Sequence, residues 1–163
     1  MSDVVIRAAQ YDDYQDVHDI LSCPGVVRNT MTLPYVSLDR RRDREMNQPP
    51  GTHILVAEIG DRVIGYLTLR QQTDRRSHVA ELMMAVHDDH QGQGVGTLLI
   101  EAAIDLVDNW LNIKRVELQV YTDNEPGVRL YKRFGFEIEG TNKAIAFREG
   151  EYVDAYYMAR LRM

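Results

Sequence analysis

Residues 90–99, HQGQGVGTLL, carry glycine at positions 92, 94 and 96 directly before an apolar run of helical spacing. A junction of this kind bares backbone N–H groups at the positive end of a helix dipole, which suits a phosphate or pyrophosphate. A nucleoside-triphosphate loop needs a lysine and then Ser or Thr after its last glycine; here Thr97 follows Gly96 with no lysine between. A dinucleotide fingerprint needs two residues between its second and third glycines and an early position in the chain. Only Val95 separates Gly94 from Gly96, and the stretch lies mid-chain, so neither loop fits.

Gln91-x-x-Gly94-x-Gly96, after a β-rich run ending at Val86, resembles the pyrophosphate loop of the GNAT superfamily of acetyl-CoA-dependent N-acetyltransferases. A second motif adds to it: Asn124 is followed seven residues on by Tyr131, and four further by Gly135-Phe136. The closing GFEIEGTNKAIAFREGEYVDAYYMARL resembles the amino-acid-acetylating and phosphinothricin-acetylating branch. The resemblance implies one domain over residues 1–163 with the GNAT acyl-CoA N-acyltransferase fold, an α/β arrangement of a central mixed sheet flanked by about four helices. It further implies acetyl-CoA as cosubstrate, no metal, and a homodimer. Its cofactor contacts would be Met84, Ala85 and Val86 on the pantetheine arm, and Gln91, Gly92, Gln93, Gly94, Val95, Gly96 and Thr97 around the pyrophosphate. Asn124 would also meet the pantetheine, and Tyr131 would face the thiol. Asn124 equally reads as a helix N-cap, and Tyr131 as an ordinary buried tyrosine.

Acetyl transfer to an amine needs a neutral amine, a polarised carbonyl and protonation of the departing thiolate. Backbone at Met84 to Val86 would supply the N–H toward the thioester oxygen, and Tyr131 the proton. With ordinary pKa values of ~10 for the phenol and ~8.5 for a thiol, that transfer is uphill by about 2 kcal/mol. An amine of pKa ~10.4 is neutral at pH 7 in about one molecule in 2,500, and an α-amine near ~8 in about one in ten, so an α-amine needs less help from a base. Glu81 stands where the phosphinothricin-type branch also carries a glutamate. It reads as the base, acting directly or through water, or as a structural carboxylate paired with a nearby arginine. His78 ranks second and should face the other side of its strand. His87 and His90 read as solvated loop residues. A carboxylate-bearing acceptor would want a cation, and Arg28, Arg75, Arg76, Lys143 and Arg148 all fall in predicted loops. Met31 and Tyr35 could add apolar contacts.

The elements that must position these groups follow from periodicity. Residues 3–8 form an opening strand, and Tyr14, Val17, Ile20 and Leu21 mark a helix over 11–22 that Pro24 and Gly25 end. The irregular stretch from Val26 to Val36 is a candidate substrate loop, before a short helix over 37–47. THILVAEIGDRVIGYLTLRQQ reads as a hairpin around Gly60-Asp61, and Ser77 to Val86 as a further strand. Leu98, Leu99, Ala102, Ala103, Leu106, Val107 and Trp110 give a helical stripe to pack on the sheet. A strand over 115–121, a helix over 125–134 ended by Gly135, and two strands over 136–139 and 152–161 complete the chain, the last two separated by a loop. The acceptor would be chosen by loops 26–36, 70–77 and 141–149.

Net charge is −6 over 163 residues, the wrong sign for a nucleic-acid surface. The run Arg40, Arg41, Arg42, Arg44 is broken by Asp43 and followed by Glu45, and reads as a solvated helix face. Cys23 is the sole cysteine, so no intrachain disulfide forms and no cysteine pair binds a metal; a reducing, cytoplasmic setting fits. The opening MSDVVIRAAQ lacks a signal-peptide pattern and LMMAV is too short to span a bilayer, so no membrane partner is expected. Tyr156, Tyr157 and Met158 on the last strand are offered as exposed apolar contacts for a dimer. The expected activity is acetylation of a small-molecule amine, an amino acid or its analogue. Acetylation of a protein or peptide amine is the second enzymatic reading, and a non-catalytic acyl-CoA sensor the third.

Overall fold

The computed structural model describes residues 3–163. In chain order the elements are β1 (Val4–Ala8), α1 (Tyr14–Ser22), α2 (Pro24–Asn29), α3 (Leu38–Met46), β2 (Thr52–Ile59), β3 (Arg62–Gln71) and β4 (Val79–Val86). Then come α4 (Val95–Asn109), β5 (Arg115–Tyr121), α5 (Glu125–Arg133), β6 (Glu137–Arg148) and β7 (Glu151–Leu161). The seven strands form one mixed sheet in the order β1-β2-β3-β4-β5-β7-β6. All neighbours are antiparallel except β4 and β5.

That parallel junction positions everything else. β4 and β5 pair only from Val79↔Arg115 to Glu81↔Glu117. Beyond Glu81, β4 continues to Val86 paired with β3 alone, so its other edge offers unpaired backbone groups that need partners.

Each face of the sheet carries its own core. On one, α4 buries Val95, Leu99, Ile100, Ala103 and Val107 against Leu67, Leu69, Leu82, Val116 and Leu118. A Cβ on Gly65 would lie 2.9 Å from Leu99 Cδ1, so glycine lets this helix approach β3. The buried stripe runs one side of the predicted one: Leu98 is partly exposed and Trp110, which caps the helix, is 76% exposed. On the other face α1 buries Val17, Ile20 and Leu21 against Val56, Val63, Tyr66 and Ala85. Among the described residues no helix is long and apolar enough to cross a membrane.

Several expectations are corrected. Pro24 ends α1 and also starts α2, where its fixed φ and missing N–H suit a helix's first turn. Five α-helices thus stand among the described residues, in keeping with the about four expected, and the irregular stretch shrinks to 30–37. Residues 141–149 are not a loop: β6 and β7 form a long hairpin closed at Glu149-Gly150, both at positive φ, with irregular register at Ile138/Gly140 and Asn142/Ala146. β6 is an edge strand exposed along most of its length, so no buried face imposed an apolar period on it. Met158 is fully buried and Tyr156 and Tyr157 half-buried, because β7 lies inside the sheet between β5 and β6. The arginine run is not uniformly solvated either. Arg41 is 2% exposed and donates from Nη1 to Thr32 Oγ1 at 2.9 Å, while buried Glu45 accepts from the Tyr66 hydroxyl at 2.8 Å.

Candidate active site

A cavity of about 620 Å³ opens where β4 and β5 part. It is lined by Glu81, Met84, Ala85, Val86, Gln91, Gly92, Gly94, Val95, Gly96, Thr97, Asn124 and Tyr131, so the structure gathers the predicted site residues. Gln93 is the exception: it lies off the cavity, with Nε2 against the Asp89 carbonyl at 3.5 Å.

The first end is made of backbone. Gly92 and Gly94 take φ of +72° and +85° with no atom near a would-be Cβ, so conformation rather than crowding calls for glycine there. Gly96 differs: a Cβ would stand 3.2 Å from Leu130 Cδ2 and 3.3 Å from Met84 Cε, the close packing of α4 on α5 and β4. The first intrahelical bond of α4 runs from Leu98 N–H to the Gly94 carbonyl at 3.1 Å. The N–H groups of Val95, Gly96 and Thr97 therefore have no helical acceptor. Gln91 braces the loop, donating from Nε2 to the Val86 carbonyl at 2.9 Å and to Asp88 Oδ1 at 3.3 Å. Arg133, on the last turn of α5, also lines this end and donates to Thr97 Oγ1 at 3.1 Å. Sequence reasoning missed it, because the contact joins two helices whose proximity the sequence spacing does not show. His90 lines the cavity here, half-buried rather than solvated, and His87 Nδ1 accepts from Asp89 N–H at 3.1 Å.

The N-cap reading of Asn124 holds. Its Oδ1 accepts from Gly127 N–H at 3.2 Å, capping α5, and the residue still lines the cavity. Tyr131 lines the same cavity from α5, its ring edge-on to Phe136 at 5.7 Å. Burial pushes its phenol up to about 12, and among the described residues none accepts its proton.

The second end is made of side chains: Asn29, Thr30 and Met31 from the end of α2, Glu81 from β4, and Gln119 and Tyr121 from β5. The Tyr121 hydroxyl donates to the Thr30 carbonyl at 3.2 Å, and Arg148 lies 5.1 Å over its ring. Arg148 also forks onto Asp123, whose carboxyl that bond holds below the usual range. Glu81 Oε2 accepts from Arg70 Nη2 at 2.9 Å, with both side chains half-exposed. Its register neighbour Glu117 is buried and bonded to Arg76 at 2.6 Å and Arg115 at 2.9 Å. Burial pushes the Glu117 carboxyl up, but the bonds from Tyr157 and Arg115 and the charge of Arg76 leave it below its ordinary value. Asp88 links the ends, accepting from Gly25 N–H at 2.9 Å and holding the start of α2 to the glycine loop.

Of the cations proposed for an acceptor carboxylate, Arg28, Arg75, Arg76, Lys143 and Arg148, none lines the cavity. His78 is exposed and off it, and Tyr35 points into solvent, while Met31 lies on the wall.

Residues 14–136 match the model of the Acetyltransferase (GNAT) family. The chain is 45% identical to L-amino acid N-acetyltransferase AaaT of Escherichia coli (strain K12), over 99% of this chain and 100% of that one. The crystal structure of spermidine N-acetyltransferase from Vibrio cholerae in complex with CoA and spermine superposes with a TM-score of 0.85 at 25% identity, over 97% and 95% of the chains. A protein provisionally assigned as a phosphinothricin N-acetyltransferase superposes with a TM-score of 0.87 at 22% identity, over 98% of each.

Proposed function

This chain belongs to the GNAT family of acetyltransferases, and from that premise we propose that it moves the acetyl group of acetyl-CoA onto the α-amine of an amino acid or amino-acid analogue. The observation that carries the reading is one cavity lined together by a bare-backbone cradle, by Glu81 and by Tyr131. The identity to an L-amino acid N-acetyltransferase supports the acceptor class.

Acetyl-CoA supplies an activated acyl thioester for the amine to attack. The N–H groups of Val95, Gly96 and Thr97, with Arg133 beside them, match the charge and size of a pyrophosphate. The unpaired edge of Met84 to Val86 holds the pantetheine arm and points an N–H at the thioester oxygen. Glu81 takes the proton of the attacking amine, directly or through water. Tyr131 gives its proton to the departing sulfur. With the phenol at about 12 against ~8.5 for a free thiol, the isolated transfer costs about 5 kcal/mol, more than ordinary values suggest. The burial that raises the phenol would disfavour a thiolate beside it too, which narrows that gap.

Two further readings belong to this proposal. The chain works in the cytoplasm, consistent with its lone buried cysteine. It pairs with a second copy through the hairpin of β6 and β7, where Ile138, Ile145, Phe147 and Tyr152 are exposed and the last two meet edge-on at 5.1 Å. Light scattering tests the pairing, and a monomer at working concentration removes it.

Incubating the protein with acetyl-CoA and a panel of amino acids, and reading released thiol, tests the activity. Turnover of amino acids above unrelated amines is expected, and absence of acetyl-CoA binding by calorimetry would end the proposal.

A further inference from the structure

An amino acid brings a carboxylate as well as an amine, and the acceptor end of the cavity has no evident place for it. Glu81 is the carboxylate that lines this end, and among the described residues no cation lines it there. An acceptor carboxylate beside Glu81 needs a guanidinium or ammonium within reach.

The arginines around the site differ in how firmly they are engaged. Arg76 and Arg115 hold buried Glu117, and pulling either away leaves a buried charge short of partners. Arg148 forks onto Asp123 and stacks on Tyr121, and Arg28 shares Asp123 at 3.6 Å. Arg75 and Lys143 are exposed and off the cavity.

Arg70 is likewise not a lining residue, but it differs from all of these in being bonded to one, Glu81. It faces Glu81 across β3 and β4 in direct register, and one bond, Nη2 to Oε2 at 2.9 Å, ties it to the cavity wall. Both side chains are about half exposed, so the pair is worth little and is easily exchanged. Nε and Nη1 have no partner among the described residues, which leaves a planar fork free for a second carboxylate.

We infer that Arg70 is the acceptor-carboxylate receptor and that it binds by exchange, giving up Glu81 for the carboxylate of the incoming amino acid. The exchange leaves both Glu81 oxygens to the amine, whose proton Glu81 takes as the C–N bond forms and the C–S bond breaks. Arrival of a carboxylate-bearing acceptor and release of the base are then one event. A plain amine leaves Arg70 on Glu81 and is the poorer acceptor. This rests on the amino-acid reading given under Proposed function.

The test uses the full-length protein, its best amino-acid acceptor, and the amine left when that amino acid loses its carboxylate. In Arg70→Met the ratio of kcat/KM for the amino acid to that for the amine should fall at least tenfold, chiefly through the amino-acid KM. Calorimetric binding of the amino acid to CoA-saturated protein should weaken by a similar factor, and Arg70→Lys should recover part of both. An unchanged ratio, or an equal loss with both acceptors, overturns the assignment and leaves the amino-acid activity standing. If wild type acetylates no amino acid, the reading beneath it falls and takes this inference with it.

Discussion

The two ends of the cavity are built in opposite ways. The glycine-loop end draws on residues 84 to 97, with Asn124 and Arg133 from the two ends of the next helix, and presents mainly backbone N–H groups fixed by a helix start. The acceptor end takes side chains from α2, β4 and β5, held by partners as distant as Arg148. A backbone cradle accepts any side chain that permits its conformation, and so keeps one ligand chemistry. A side-chain end can be re-specified one residue at a time, which suits the half of an enzyme that chooses among amines.

Tyr131 carries the proton-donor role in this proposal, and substituting it should cost the most. Tyr131→Phe keeps the ring against Phe136 and removes only the hydroxyl. Loss of a proton donor of this kind is worth about 100-fold or more in kcat, near 3 kcal/mol in the barrier. Acetyl-CoA affinity, measured by calorimetry, should change little. Equal losses in turnover and affinity would move Tyr131 into the cofactor cradle. Because burial raises the phenol to about 12, activity should show no fall from its ionisation as pH passes through the ordinary tyrosine value of ~10.

Gly94→Ala breaks the cradle alone. No atom lies near the added Cβ, so its cost is that of an L-residue in the left-handed region, about 1 to 2 kcal/mol. Acetyl-CoA affinity should drop about 5- to 30-fold. The kcat at saturating acetyl-CoA and the acceptor KM should stay close to wild type. A matching rise in acceptor KM would show that the loop and α2 move together through the Asp88 to Gly25 contact.

The same contrast explains what could be read from the sequence. The cradle was legible because its determinants are local: glycines at fixed spacing, an apolar helix after them, and a second helix carrying Asn124 and Tyr131. Arg133 escaped because its contact with Thr97 joins two helices that sequence spacing does not relate. Most of the acceptor end was hidden for the same reason. Glu81 was read by resemblance, but its partner Arg70 stands where the predicted hairpin arm meets the predicted acceptor loop 70–77, and only strand register pairs the two. α2 was masked because Pro24 and Gly25 signal a stop as well as they signal a start. Arg41 is buried although its run reads as surface, because a charge run says nothing about which of its members tertiary packing encloses.

The smallest effect should come from the rim of the acceptor end, where Arg76 shares buried Glu117 with Arg115. Arg76→Met leaves Arg115 in place, and the lost arginine is itself more than half exposed, so about 1 kcal/mol of stability at pH 7 is expected from urea unfolding. The folded state holds Glu117 below its ordinary pKa, so the carboxylate contributes stability above that ordinary value and loses it as pH falls through the folded one. The difference between variant and wild type should therefore be full at pH 7 and close as Glu117 protonates below about pH 4. A difference that persists in acid would assign the contribution to packing of the Arg76 stem rather than to its charge. In either case acetyl-CoA affinity should hold while the acceptor KM rises, because Glu117 sits beside Glu81 in register and far along the sheet from the glycine loop.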